Sequence, residues 1–266
     1  MIEDAELANL TNEFIVILKQ LDKIVNKDLE GMPMDMTRNS FLIILNFIRF
    51  RELLDGTIVL VEHRNPAPCF VLIRTMVEIY ILTHSFLLEP GAHSAYLKKN
   101  TDERVRRLRK LSNDQESVPN FLDTDEIQDH LKKQSEFLDL NESKKMSDIY
   151  SLFKKYGKEN LYHTIYANST DWSHTDYHSF NSYLILDKNE KVIDVSEHLN
   201  KPKDCVLILS IVFKLYFDLY DDLMKFLKNS TGNLELIADR FNEIQKKLTG
   251  KLEILDGALA KNTNGV

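Results

Sequence analysis

Glycine and proline are scarce: the 266 residues include eight glycines and six prolines. Sandwiches, collagen-like repeats and flexible linkers need many more turn residues, so none of them describes this chain. Cysteine is nearly missing as well, with only Cys69 and Cys205, each inside an apolar run. Two thiols make no disulfide framework; the sequence leaves their pairing open, and the plain expectation is two buried, reduced core thiols. There is no surplus of positive charge either: 34 Lys and Arg face 41 Asp and Glu, a formal charge of −7. That balance argues against a general polyanion binder and leaves room for a local basic patch.

Long uncharged runs are lacking too. Phe41–Val61 contains Arg49, Arg51, Glu52 and Asp55; Cys69–Leu88 contains Arg74, Glu78 and His84; Val206–Leu227 is interrupted by Lys214, Asp218, Asp221 and Asp222. A charge at a bilayer centre costs about 2.5–3.5 kcal/mol, so none of the three reads as a span. The first residues, Met1-Ile2-Glu3-Asp4-Ala5-Glu6, lack the basic region of a secretory signal. A cytoplasmic protein with no membrane partner is the expectation.

What the sequence does contain is helical periodicity. Leu7, Leu10, Phe14, Ile17, Leu18, Leu21 and Ile24 recur at three- and four-residue steps, which predicts one helix over Glu3–Leu29 with a single wet face. Gly31-Met32-Pro33 ends it. A second helix is predicted over Thr37–His63. A third starts near Pro66 or Pro68, because proline suits a first helical turn, and reaches Leu88. Further helices are predicted over Ser94–Leu111, Asp123–Leu140, Ser147–Tyr156, Pro202–Leu227 and Asn233–Leu255. Between Tyr162 and Ser182 the periodicity weakens. Tyr183–Val195 reads as two short apolar runs across a polar turn, a small β-hairpin. The fold class is therefore all-α: a bundle of seven or eight helices in one domain, residues 1–260, with a hairpin near 183–195 and a frayed tail at 261–266.

Three segments carry residue types from which a site could be built. The third helix is apolar around most of its circumference, so Arg74 and Glu78, four apart on one face, are expected to be buried as each other's partner. They are either an internal ion pair that sets helix register or the wall of a polar pocket. The second segment, Tyr162–His178, gathers three of the eight histidines and the only tryptophan. Asp171, His174 and His178 would converge on a metal if helical, but the acid between a zincin's two histidines is missing and no metal is expected. A capped helix start with ordinary turn residues explains the same composition. The third segment is the run Lys98–Lys110, whose Arg104, Arg106, Arg107 and Arg109 form either a phosphate-binding patch or a solvated face. No Walker, dinucleotide or nucleophile-elbow motif is present, so no cofactor is implied.

Taken together, Arg74-x3-Glu78 and the downstream Tyr166-x2-Ser169-x3-Ser173-His174 resemble a bacterial helical family known only as a domain of unknown function. The resemblance covers roughly Thr37–Leu227. It implies a helical domain in which Arg, Glu, Tyr, Ser and His meet in one pocket, and it carries no settled activity. Toxin and phage-defence ribonucleases of the HEPN group are also helical, but their arginine is followed by histidine after four to six residues. After Arg74 the next histidine is His84, with nine residues between. On chemical grounds Arg74 would bind an anionic group, Glu78 orient it or accept a proton, and His174 act as acid or base. Tyr166, Ser169 and Ser173 would donate hydrogen bonds. The expected function is phosphoester or RNA cleavage in bacterial defence or toxin systems, with an RNA or phosphate-bearing ligand and a second copy of the chain as partners. The alternative is a non-catalytic anion-binding or structural protein whose Arg74–Glu78 pair is a core salt bridge.

Overall fold

The computed structural model describes residues 2–30, 38–113, 129–134, 136, 146–173, 184–187, 189, 191–195, 202–227 and 234–263. The elements are α1 (Ile2–Glu30), α2 (Arg38–Glu62), α3 (Ala67–Leu88), α4 (Ala92–Asn113), α5 (Ile149–Lys155) and α6 (Glu159–Leu161). A π-helical turn (Tyr162–Tyr166) follows, then α7 (Ala167–Ser173), strands β1 (Leu184–Leu186) and β2 (Val192–Val195), and finally α8 (Pro202–Phe226) and α9 (Leu234–Thr263). The all-α class is correct. The hairpin is present, with Leu184 opposite Val195 and Ile185 opposite Asp194 in antiparallel register. Its turn is held by the Asp187 carboxylate, which accepts the Asn189 and Lys191 amides at 2.8 and 2.9 Å. The helix expected over Asp123–Leu140 lies largely outside the described residues, which are helical at 129–134. The last helix continues past its expected end at Leu255 to Thr263.

Helix α3 is the centre of the bundle. Pro66 precedes its first turn, and Cys69, Ile73, Met76, Val77, Tyr80, Ile81 and Phe86 are buried around it. α2 and α8 pack against it, α1 packs on the far side of α8, and α9 closes over α1. Among the described residues α3 alone is long and apolar enough to cross a membrane by length and composition. Here its apolar surface is spent on neighbouring helices. Its neighbour α2 ends with Arg64 in the left-handed region (φ 56°). The Asn65 and Arg64 amides return to the Leu60 and Val61 carbonyls, both at 2.9 Å, so α2 stops in a Schellman motif without glycine. Across α2 and α3, the buried Thr83 hydroxyl accepts the Asn46 amide at 2.8 Å.

One carboxylate ties the outer helices together. Asp22 of α1 accepts Arg51 of α2 through Nε at 2.6 Å and Nη2 at 3.2 Å. It also accepts the Tyr216 hydroxyl of α8 at 2.7 Å and the Asn26 amide at 3.2 Å. Tyr216 is fully buried and stacks on Phe50 with ring centroids 5.2 Å apart. Farther along α8, Tyr220 donates to Asp28 of α1. Both thiols are buried and free.

Burial pushes the Cys69 thiol from 9.0 up to about 12 and Cys205 from 9.0 up to about 11. It also lifts the phenols of Tyr80, Tyr216 and Tyr220 well above the ordinary value of 10.0. The folded chain thus keeps protons that the unfolded chain releases, so this stability is whole below about pH 9 and drains away as pH climbs. The urea midpoint should hold between pH 7 and 8.5 and fall steadily from 9 to 11; a flat profile over that upper range would contradict the burial. Separately, Asp22→Ala leaves Arg51 and Tyr216 without their shared acceptor. It should cost about 2–3 kcal/mol in urea unfolding, discounted from a fully buried pair because the Asp22 and Arg51 side chains keep some solvent.

Candidate functional site

Arg74 and Glu78 do project together from α3, but they are not buried as the apolar flanks predict. Their side chains keep 26% and 35% of their exposure. The reason lies in the helix surface. Val71, Arg74, Thr75, Glu78 and Leu82 form one stripe at helical spacing, and each of them is exposed or only partly buried. An average over the flanking residues hides that stripe, because the buried residues lie on the other faces.

Tyr166 closes over part of the stripe. Its hydroxyl donates to Glu78 Oε1 at 2.7 Å, and Arg74 Nη2 approaches the same hydroxyl at 3.5 Å. Arg74 Nε lies 3.6 Å from Glu78 Oε1, and the guanidinium carbon sits 5.3 Å from the centre of the Tyr166 ring. Burial raises the Tyr166 pKa above 10.0, and the bond to Glu78 raises it further, so the phenol stays a donor at neutral pH.

The π turn is what puts Tyr166 there. Ala167 N–H bonds to the Tyr162 carbonyl, a five-residue step that adds one residue to the turn. That extra residue explains the weak periodicity of this segment, which the structure shows to be helical from Glu159 to Ser173. Tyr162 stacks on Tyr166 (5.3 Å) and lies close to Phe153 (5.5 Å) and Tyr150 (4.9 Å) of α5. His163, exposed, stands edge-on to Tyr150 and Tyr162 at 5.9 and 5.3 Å. α5 is held in register by Asp148, which accepts the Ser151 amide at 2.9 Å and its hydroxyl at 2.8 Å.

The remaining expected residues fall in different places. Ser169 is 1% exposed, within the contact of α7 on α3, and its hydroxyl donates to the Tyr166 carbonyl at 2.9 Å. Thr170 donates to the same carbonyl at 2.9 Å. Ser173 ends α7, and His174 and His178 lie outside the described residues. Among the described residues no group of three metal-ligating side chains converges. Arg104, Arg106, Arg107 and Arg109 are all exposed on α4, with Arg107 3.9 Å from Glu103. The Ser151 amide and hydroxyl hold the Asp148 carboxyl below its ordinary value, with a smaller contribution from Lys99 of α4.

Two features escape the sequence reading. One is the aromatic cluster of Tyr150, Phe153, Tyr162 and His163, which the composition of the segment hinted at. The other is His84, whose Nδ1 lies 2.6 Å from Asp222 Oδ2 across α3 and α8. These two stand 138 positions apart, so no local motif announces them.

Tyr166→Phe deletes the donor to Glu78 and keeps the ring. It should lower stability by about 1–1.5 kcal/mol in urea unfolding with an unchanged circular dichroism spectrum. An unaltered midpoint would mean that the phenol is not bonded to Glu78 in solution.

No curated protein and no solved structure matches the chain. A family model described as a family of unknown function (DUF5677) matches residues 40–192, from α2 through β1 to the start of β2. That span is more than half of the sequence and holds Arg74, Glu78, Tyr166 and the aromatic cluster, so this chain is a member of the DUF5677 family of unknown function.

Proposed function

We propose that this protein acts on phosphoester bonds, with RNA as the substrate class, at the edge where Tyr166 meets Arg74 and Glu78. The observation that carries the reading is the convergence of an arginine, a phenol and a carboxylate at contacts of 2.7–3.6 Å on a surface that solvent still reaches. A guanidinium suits a phosphate oxygen, and a protonated phenol suits the developing charge beside it. Tyr150, Tyr162 and His163 add ring faces and edges on which unpaired bases can stack. The exposed arginines of α4 give the backbone a second electrostatic hold.

In this proposal His174, just beyond α7, is the general acid or base, and Ser173 a hydrogen-bond donor beside it. Ser169 supports the site through the Tyr166 carbonyl. The setting is a cytoplasmic one in bacterial defence or toxin systems, where cleavage of RNA by a small helical protein would be toxic.

A second reading is favoured by the same 2.7 Å bond between Tyr166 and Glu78. It joins the π turn to α3, and Arg74 neutralises the carboxylate, so the group would hold the two elements together without a ligand. At this exposure such a structural role is worth about 1 kcal/mol rather than the several of a fully buried pair.

Incubation with single-stranded RNA and a denaturing gel tests the proposal. Arg74→Ala and His174→Ala should each lower cleavage by about 100-fold or more, with melting temperatures within a few degrees of the parent. Replacing the four α4 arginines with Gln should flatten the salt dependence of RNA binding, a log–log slope change of about 3. A wild type that neither binds nor cleaves RNA, or an active Arg74→Ala/His174→Ala double variant, defeats the reading.

A further inference from the structure

On the other side of the π turn lies a hollow of about 460 Å³ between α3, α6, α8 and α9. Its walls are mostly aliphatic and aromatic: Leu161, Ile165, Ile211, Leu215 and Phe241. Volume and lining are those of a small-molecule site rather than a packing defect. The polar groups around it are few, and most are engaged with each other. Gln245 donates to Ser210, and Lys214 is paired with Asp218. One cation is different. Lys158, half-buried at the lip, lies over the Tyr80 ring with its ammonium 5.7 Å from the centroid, and no carboxylate is within ion-pair distance among the described residues.

Lys158 is held there by backbone geometry. Gly157 adopts φ 64°, and the Lys158 and Gly157 amides return to the Phe153 and Lys154 carbonyls at 2.8 and 3.1 Å. That is a Schellman stop with glycine at its left-handed position, and it turns the chain so that the next side chain meets the hollow. The arrangement offers an apolar trough with a single positive point charge at its mouth.

We infer that this hollow is a binding site for a small amphipathic monoanion, a carboxylate with an apolar tail. The tail would lie along Ile211, Leu215 and Phe241, and the carboxylate would meet the Lys158 ammonium. A single lysine recognises one charge and gives no planar fork, while Lys214 at the same mouth is already neutralised by Asp218. A dianionic phosphate is therefore the poorer fit. The site is independent of the Arg74 edge, since the π turn presents Ile165 to the hollow and Tyr166 to α3.

Titration calorimetry with decanoate below its micellar range, and with decanol as the uncharged control, tests the inference. Wild type should bind decanoate. Lys158→Met should weaken decanoate by about tenfold or more and leave decanol within about twofold. Ile211→Trp fills the hollow and should abolish binding of both; Leu161→Trp, from the opposite wall, serves if the first variant melts early. Arg74→Ala should bind decanoate like the parent. The inference fails if wild type gives no saturable heat with decanoate. It also fails if Lys158→Met binds decanoate as well as wild type, or if a folded Trp variant retains it.

Discussion

Helix α3 has too little polar surface to stand against water on any side but one, and that constraint orders the rest of the molecule. With Cys69, Ile73, Met76, Val77, Tyr80, Ile81 and Phe86 pointing in several directions, neighbours are required on several faces. α2 and α8 supply two of them, and the π turn with α7 supplies a third. The stripe from Val71 to Leu82 is what remains. Arg74 and Glu78 sit in it because charged groups without full solvent are tolerated only where water or a partner is near. The candidate site is thus the one edge of the central helix that burial leaves over.

The positions of the surrounding helices depend in turn on a small number of polar ties. Asp22 collects donors from α1, α2 and α8, and the pairs Tyr220–Asp28 and His84–Asp222 repeat the theme along α8. In each case a carboxylate at the margin of the core meets an aromatic or cationic donor from a distant part of the chain. Apolar packing alone is tolerant of sliding, whereas such directional bonds select one register. A fixed register of α8 on α3 shapes the hollow beside Lys158 as well, since Tyr80, Ile211 and Leu215 form its walls.

Helix positions were legible because helices announce themselves locally. Proline and glycine mark most ends, and the hairpin shows in Leu184–Val195 as two apolar runs around Asp187. The apolar flanks of Arg74 and Glu78 suggest a burial the structure does not have, because a helix buried on most faces hides its one open stripe from an average over neighbouring residues. Within Tyr162–Ser182 the periodicity weakens, and over the described part, to Ser173, a π turn breaks the four-residue rhythm by one residue. Contacts such as Tyr166 with Glu78, 88 positions away, or His84 with Asp222 depend on packing and leave no spacing to read. The pairing of Arg74 with Glu78 was visible; its third member's geometry was not.

That third member decides what chemistry the edge can support. Tyr166 is kept protonated by burial and by Glu78, so it is a donor and a poor nucleophile. Glu78 accepts the phenolic hydrogen on Oε1 at 2.7 Å, which leaves Oε2 as its remaining acceptor. The cleavage proposed above needs a proton-transfer group with a pKa near 7, for which a histidine is the ordinary choice. His163 stands edge-on to Tyr150 and Tyr162, and His84 Nδ1 lies 2.6 Å from Asp222 Oδ2. The proposal gives that role to His174, the next residue in the chain after α7. Without an imidazole from that position, the proposed site would be limited to orienting a phosphate and would leave it intact.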